Sequence, residues 1–186
     1  MVARRRIALA AGLSLALASC SLGYDGQVKE APVLPSAVFS DYSHTIVVRG
    51  RPAFTLEADR AEVYAEEKRT VLSAVRFAEY DPDTGDLLSS GSADRAVYWT
   101  ESEDAELSGA VRLESKRQEA VLEGEYLRWD GEGKRLEGRL DRAVTVRKTD
   151  GSWVSGAGFE ADARRRSFVF REGVAGVAVP PEDGEE

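Results

Sequence analysis

The single histidine, His44, stands in Ser40-Asp41-Tyr42-Ser43-His44, a stretch that holds the residue types of a nucleophilic serine set. A triad is assembled by spatial geometry that sequence neighbours do not supply, and no nucleophile-elbow pattern surrounds these residues. An exposed or strand-edge histidine is the plainer reading. Asp81-Pro82-Asp83-Thr84-Gly85-Asp86 spaces its carboxylates like the start of a calcium loop, but the glycine comes fifth and Ser92 stands where a twelfth-position glutamate belongs. It reads better as a hairpin turn. One histidine and one cysteine cannot make a zinc site. With 33 acidic residues in the chain, some carboxylate pair falls at glycosidase distance by chance, so such pairs carry no information without geometry. The sequence therefore points to no catalytic residue, no metal and no cofactor.

The one residue whose surroundings do specify chemistry is Cys20. The leader MVARRRIALAAGLSLALASC places Arg4, Arg5 and Arg6 before an uncharged run from Ile7 to Ala18 that ends in small residues, the layout of a secretory signal segment. A spanning helix needs about 20 apolar residues, more than this run offers. Leu17-Ala18-Ser19-Cys20 resembles the bacterial lipobox, in which small residues admit the peptidase and the cysteine thiol takes a thioether-linked diacylglycerol. Residues 1–19 are thus expected to be removed and Cys20 to become a lipid-modified N-terminus. Because Cys20 is the only cysteine, acylation leaves no thiol for a disulfide, a redox pair or a nucleophile. Each buried methylene contributes about 0.8 kcal/mol, and stable anchoring takes two or more chains. The protein would be held on a membrane without crossing it.

Removing the three arginines takes the formal charge from −8 to −11. No nucleic-acid partner is expected, since phosphate binding needs clustered cations. Residues 20–36, with Gly23, Gly26, Pro32 and Pro35, read as a flexible stalk. Pro180-Pro181-Glu182-Asp183-Gly184-Glu185-Glu186 reads as a disordered acidic tail, residues 180–186. That leaves residues 37–179 as one domain, long enough to enclose a core.

Within it, apolar residues recur at every second position: Phe54, Leu56, Ala58; Val71, Val75, Phe77; Leu107, Val111, Leu113; Val144, Val146; Phe168, Phe170. This period marks half-buried strands. Turn chemistry separates them at Asp81–Gly85, Asp130-Gly131, Asp150-Gly151 and Glu172-Gly173. The stretch 58–69, ADRAEVYAEEKR, has high helix propensity, but its near copy SADRAVYWT is rich in Val, Tyr and Trp, which favours strand in both places. Ala58-Asp59-Arg60-Ala61 returns as Ala93-Asp94-Arg95-Ala96, and more loosely as Gly124-Glu125-Tyr126-Leu127 and Gly158-Phe159-Glu160-Ala161. Each is followed by a second element, with Val75, Val111, Val144 and Val174 in equivalent places. The chain is about four imperfect two-strand units that must stack to bury their faces. No crossover helices intervene, so antiparallel meandering pairing in a sandwich, jellyroll or short solenoid follows. If the interior stays open at its ends, it is a lipid groove.

Ser92-Ala93-Asp94-Arg95-Ala96 with Leu107-Ser108-Gly109-Ala110-Val111-Arg112-Leu113, and Leu136-Glu137-Gly138 through Val144-Thr145-Val146 to Gly156-Ala157-Gly158-Phe159-Glu160-Ala161-Asp162, resemble the LptC family of lipopolysaccharide export, over roughly residues 37–179. The resemblance implies an all-β, open antiparallel jellyroll of the LptA/LptC kind. It implies a periplasmic protein at the inner membrane that receives lipopolysaccharide or a similar glycolipid from an ABC transporter complex and passes it to an LptA-like periplasmic protein. Acyl chains would occupy the interior, with Phe54, Leu56, Val75, Phe77, Val97, Trp99, Val111, Leu113, Trp129, Val144, Val146, Phe159, Phe168 and Phe170 as candidate lining. The aromatic members read first as core, and only near the open ends as lipid contacts. Residues 39–56 would face the transporter. The C-terminal edge, 158–179, would pair with the shuttle, with Gly156, Gly158, Val174 and Val177 as candidate edge residues.

Two features depart from the family pattern. Its members hold the inner membrane with a transmembrane helix, whereas here Cys20 would serve. Ser21 follows that cysteine instead of the aspartate that retains enteric lipoproteins at the inner membrane, so the leader leaves the outer membrane open as well. Arg164-Arg165-Arg166 reads as a solvated hairpin tip, with a cationic contact to phosphorylated lipid or an acidic partner as its alternative. The competing functional classes are a structural or surface lipoprotein, scaffold or adhesin, with a closed repetitive core, and a hydrolase with an acidic dyad.

Overall fold

The computed structural model describes residues 33–180. The expected signal segment 1–19, Cys20, the expected stalk up to residue 32 and residues 181–186 of the expected tail lie outside the described residues. Twelve strands make one antiparallel sheet: β1 (Ala37–Val48), β2 (Arg51–Tyr64), β3 (Arg69–Tyr80), β4 (Leu87–Trp99), β5 (Asp104–Ser115), β6 (Ala120–Asp130), β7 (Arg135–Glu137), β8 (Ala143–Lys148), β9 (Trp153–Ala157), β10 (Glu160–Asp162), β11 (Ser167–Val169) and β12 (Glu172–Val177). Of the stretch 58–69 expected as strand, 58–64 is strand, as Val, Tyr and Trp in its copy imply, whereas 65–68 is a hairpin turn and Arg69 opens β3.

Strand order follows chain order from β1 to β6, after which the sheet divides. The far half of β6 pairs with β7, then β10 and β11; its near half pairs with β8, then β9 and β12. Each of β7/β8, β9/β10 and β11/β12 is thus one long ribbon broken in the middle. The whole is a meander of bent ribbons folded over into two layers.

The fold line is written in the repeats. Ala58, Ala61, Ala93 and Ala96 are all buried, while Asp59, Arg60, Asp94 and Arg95 between them are exposed. Two inward residues three apart break the period of two, so the strand must turn over between them. Along the same line Asp41, Ala74, Gly109 and Ala110 have positive φ, and the pairing of β5 slips against both neighbours at Gly109-Ala110. That slip is a bulge: one more residue than in Leu72-Ser73-Ala74-Val75. The Asp94 carboxylate lies over Gly109, where an added Cβ would come within 2.4 Å of it. Small alanines let the layers meet at this crease. Leu72, Val75, Val111, Leu127, Val144 and Phe159 fill the remaining core.

Hairpin tips sit along the two free lips of the folded sheet. Turns 65–68, 100–103, 116–119, 131–134 and 163–166 each end on a residue with positive φ, respectively Lys68, Glu103, Glu119, Lys134 and Arg166. The expected turns at Asp81, Asp130-Gly131 and Asp150-Gly151 are present. Glu172-Gly173 is not a turn; it opens β12, where Gly173 at φ 62° forms a bulge against β9.

Candidate functional site

Between the two layers runs a cavity of about 1170 Å³, open to solvent along the lips. Alternation along each strand decides what lines it. From the first layer come Thr70, Tyr98, Ala105, Trp129, Leu136, Ala161 and Phe168, residues that stand side by side across β3 to β11. From the second come His44, Leu56, Phe77, Leu113, Leu122 and Val146, side by side across β1 to β8. The second row has one gap, at Gly91 between Phe77 and Leu113, which both side chains lean into. The lining is mostly apolar along its depth, with His44 at its β1 end, and its charged residues other than His44 stand towards the lips.

Nine of the fourteen candidate lining residues face this cavity: Phe54, Leu56, Val75, Phe77, Leu113, Trp129, Val146, Phe159 and Phe168. The other five do not. Val111 and Val144 are fully buried at the crease, beneath the groove floor. Val97 and Trp99 flank the inward Tyr98 and so point to the outer face of β4. Phe170 packs at the end of the core over Gly156, in a trio with Phe159 and Phe168 whose ring centroids lie 5.4 to 5.9 Å apart. Neither the alternation around Val97 nor the depth of Val111 could be read without knowing where each strand bends. The larger lining residues missed in the sequence include Tyr42, His44, Ile46, Leu72, Tyr98, Leu107, Leu122 and Leu136. Period two would have found Leu122 and Leu136 had β6 and β7 been phased.

The lining does not stop at the lateral ends of the sheet. Ile46 on β1 and Phe168 on β11 line the groove and are still 47% and 44% exposed. Among the described residues, β1, β11 and β12 each pair on one side only, leaving backbone donors and acceptors without a strand partner along the other. Most of the exposed large apolar residues stand there: Val38, Phe39, Ile46, Val47 and Val48 on β1, Phe168 and Val169 on β11, Val174 and Val177 on β12. Among the four candidate edge residues, Val174 and Val177 stand on an open edge. Gly156 and Gly158 do not: both are buried, one in β9 between β8 and β12, the other hydrogen-bonded through its N–H to the Arg139 carbonyl at 2.9 Å. Each glycine is there for space, since a Cβ would strike Phe170 at Gly156 and Leu140 at Gly158.

Polar residues at the lips are held by local bonds. Asp162 accepts the backbone N–H groups of Arg164 and Arg165, both at 2.9 Å, which keeps its carboxyl below the usual range. Glu114 is held low by its hydrogen bond from Lys116. The Arg164–Arg166 segment forms the tip between β10 and β11, and Arg166 turns back to the groove. His44 faces the groove while the adjacent Ser43 faces away, so the two do not meet. The Asp81 carboxylate accepts the Asp83 and Thr84 N–H groups at 2.8 and 3.1 Å, closing a hairpin turn. Among the described residues, no cluster of metal-ligating side chains occurs and no helix is long and apolar enough to cross a membrane.

The lipopolysaccharide-assembly, LptC-related family model matches residues 7–179. No curated protein is similar enough in sequence to count as a relative. Among solved structures, the chain is similar to LptH of Pseudomonas aeruginosa, described as the LptA homologous periplasmic component of the lipopolysaccharide transport device. The TM-score is 0.52 at 15% identity, covering 71% of this chain and 98% of that one. At that identity the likeness speaks for the open jellyroll fold.

Proposed function

The chain belongs to the LptC-related family of lipopolysaccharide assembly, and from that premise we propose that it is the membrane-anchored periplasmic member of a lipopolysaccharide or related glycolipid export line. In this reading Cys20 carries the acyl anchor at the inner membrane, and the groove takes lipid acyl chains from an ABC transporter complex. An LptA-like partner, joined by strand pairing, takes them on. The protein performs no bond chemistry; it lowers the cost of moving an apolar chain through water.

The observation that carries this reading is the apolar lining that runs without interruption from Ile46 on one free edge to Phe168 on the other. Such a surface attracts hydrocarbon in proportion to area, at about 25 cal/mol per Å². It asks for no directional bond, so a chain can slide without breaking one. A second jellyroll added at β1 or at β11/β12 would extend both the sheet and the lining, covering the apolar edge residues as it did so. A closed scaffold core would have neither the cavity nor the exposed lining at its ends.

The two edges differ. β1 offers twelve consecutive residues, whereas the C-terminal edge is split between β11, with three residues, and β12, with six. We assign β1 to the transporter side and β11/β12 to the shuttle. Photo-crosslinking residues placed at Phe77 and Leu122 should capture lipopolysaccharide in cells, with Val97 on the outer face as the silent control. Crosslinkers at Val174 and Val177 should capture the shuttle, and at Val47 the transporter. Absence of any lipid adduct at Phe77 and Leu122 would sink the transport reading.

A further inference from the structure

The charged groups that face the groove are sorted by sign along it. On the β3 to β5 side stand Glu79, Glu103 and Glu114; on the β6 to β11 side stand Lys134, Lys148 and Arg166. Four other titratable groups face the groove, among them Tyr42 on β1 and Tyr98 on β4. His44 lies at the β1 end, and Asp162 lies at the β10 end, where the Arg165 side chain at 3.6 Å and two backbone N–H groups engage its carboxylate. Glu79 and Lys148 belong to one cross-strand row, Glu79, Ser89, Ser115, Ala120 and Lys148 on β3, β4, β5, β6 and β8. Four strand spacings separate them, roughly 19 Å. Glu103 and Arg166 lie on the opposite lip, at the tips beside β5 and β11, again four strands apart.

Three of these four end charges, Glu79, Lys148 and Arg166, are uncommitted. Glu79 accepts only the Ser89 hydroxyl, at 2.9 Å, and among the described residues neither Lys148 nor Arg166 has a carboxylate partner. The fourth, Glu103, pairs with Lys134 at 3.5 Å, and Glu114 pairs with Lys116. An unpaired anion towards β3 and two unpaired cations at the C-terminal end make the order a ramp.

We propose that this ramp gives the groove a direction for phosphorylated lipids, disfavouring an anionic headgroup at β3–β5 and holding it between Lys148 and Arg166 at the C-terminal end. The inference rests on the groove being the acyl-chain site and adds to it the headgroup's charge and its resting place. Screening over about 8 Å at physiological ionic strength is shorter than the roughly 19 Å between the ends. A headgroup therefore senses one end at a time, and the apolar lining carries the chains between them without preference. Each unpaired lip charge, solvated as it is, changes occupancy by about two- to fivefold.

The test uses the full chain with a photo-crosslinking residue at Ser89 or at Ser167, incubated with bis-phosphorylated lipid A or with the same lipid stripped of both phosphates. The expected result is a Ser167 to Ser89 adduct ratio at least about fourfold higher for the phosphorylated lipid, reduced to that of the stripped lipid by Lys148→Glu with Arg166→Glu. The milder Lys148→Gln with Arg166→Gln should give an intermediate ratio and guards against misfolding of the double reversal. Equal ratios for the two lipids, or a ratio indifferent to both variant pairs, would overturn the ramp while leaving the acyl site standing. No adduct at either position with either lipid would overturn the acyl site itself.

Discussion

Gly91 offers the sharpest test of the groove because it fails as alanine for reasons of space alone. Its backbone is ordinary, unlike that of Gly85 at φ 85°, but a Cβ there would lie 2.4 Å from Phe77 Cζ and 2.7 Å from Leu113 Cδ2. Ordinary carbon contacts are about 3.5–4.0 Å, so the Phe77 ring tip must retreat by roughly 1.1–1.6 Å. Both obstructing atoms are ends of side chains that face an open cavity, and they can yield into it. Overpacking of a closed core costs about 1–3 kcal/mol. Alanine in a strand recovers about 0.5–1 kcal/mol relative to glycine. The net loss should be at most about 2.5 kcal/mol, a fall in Tm of no more than roughly 10 °C for a domain of this size.

The displaced ring, however, now blocks the middle of the groove. With the native residue, affinity for a series of alkyl phosphates should rise with chain length, by up to about 0.8 kcal/mol per methylene buried. With Gly91→Ala the rise should flatten, and with Gly91→Leu it should stop once chains reach the constriction. Calorimetric titration of the series, beside thermal unfolding by circular dichroism, reads both quantities. A loss of more than about 4 kcal/mol would mean that Phe77 is locked and the interior closed. A chain-length series identical to the native one would mean that acyl chains do not pass Gly91.

Three further outcomes follow from the same geometry. Trp129 lines the groove while Trp99 faces outward, so brominated acyl chains should quench the fluorescence of Trp129 and leave a Trp129→Phe variant almost unquenched. Leu127 at the crease is 0% exposed; Leu127→Ala should cost about 2–5 kcal/mol and lower the Tm by roughly 5–15 °C, measured by calorimetry. Asp81, Asp130, Asp150 and Asp162 each accept backbone N–H groups across a turn, which holds their folded pKa below the unfolded value near 3.8. Their stabilisation is present above that pH and lost as pH falls through the depressed values. Tm should stay flat down to about pH 5 and drop below about pH 4, with a shallower drop in Asp130→Asn and Asp162→Asn.

The strands, their antiparallel pairing and the repeat of two-strand units were legible because alternation and Val, Tyr and Trp content are local. Turns with Gly or Pro signals, and the arginine tip 164–166, were legible too; three other hairpin tips were not. AEEK, TESE and KRQE carry no Gly, Asn-Gly or Pro signal, yet each closes on a charged residue in the left-handed region. A long four-residue turn tolerates that conformation at a cost of about 1–2 kcal/mol, which tertiary pairing on both flanks outweighs. The split of the last ribbons was equally hidden, because Gly158-Phe159 and Phe170-Arg171 look like strand interior until the crease is known. Gly156 and Gly158 were for that reason set on the edge when they are buried.

The crease explains why an imperfect repeat suffices for a conduit. In β2 and β4 the pair of buried alanines spaced by three puts both ends of the strand on the inner face, one half in each layer. Everything inward from the crease then lines the groove by simple alternation, whatever its exact side chain, provided it is apolar. That is a weak constraint, and it accounts for 15% identity to a jellyroll of matching extent. Strong constraints fall instead on the bend: Ala at 58, 61, 93 and 96, and Gly at 109 beneath Asp94. Ala96→Val should therefore harm folding more than Leu122→Val harms it, although Leu122 is the larger side chain and lines the groove. A Tm less affected by Ala96→Val than by Leu122→Val, in otherwise identical melts, would contradict this account of the fold line.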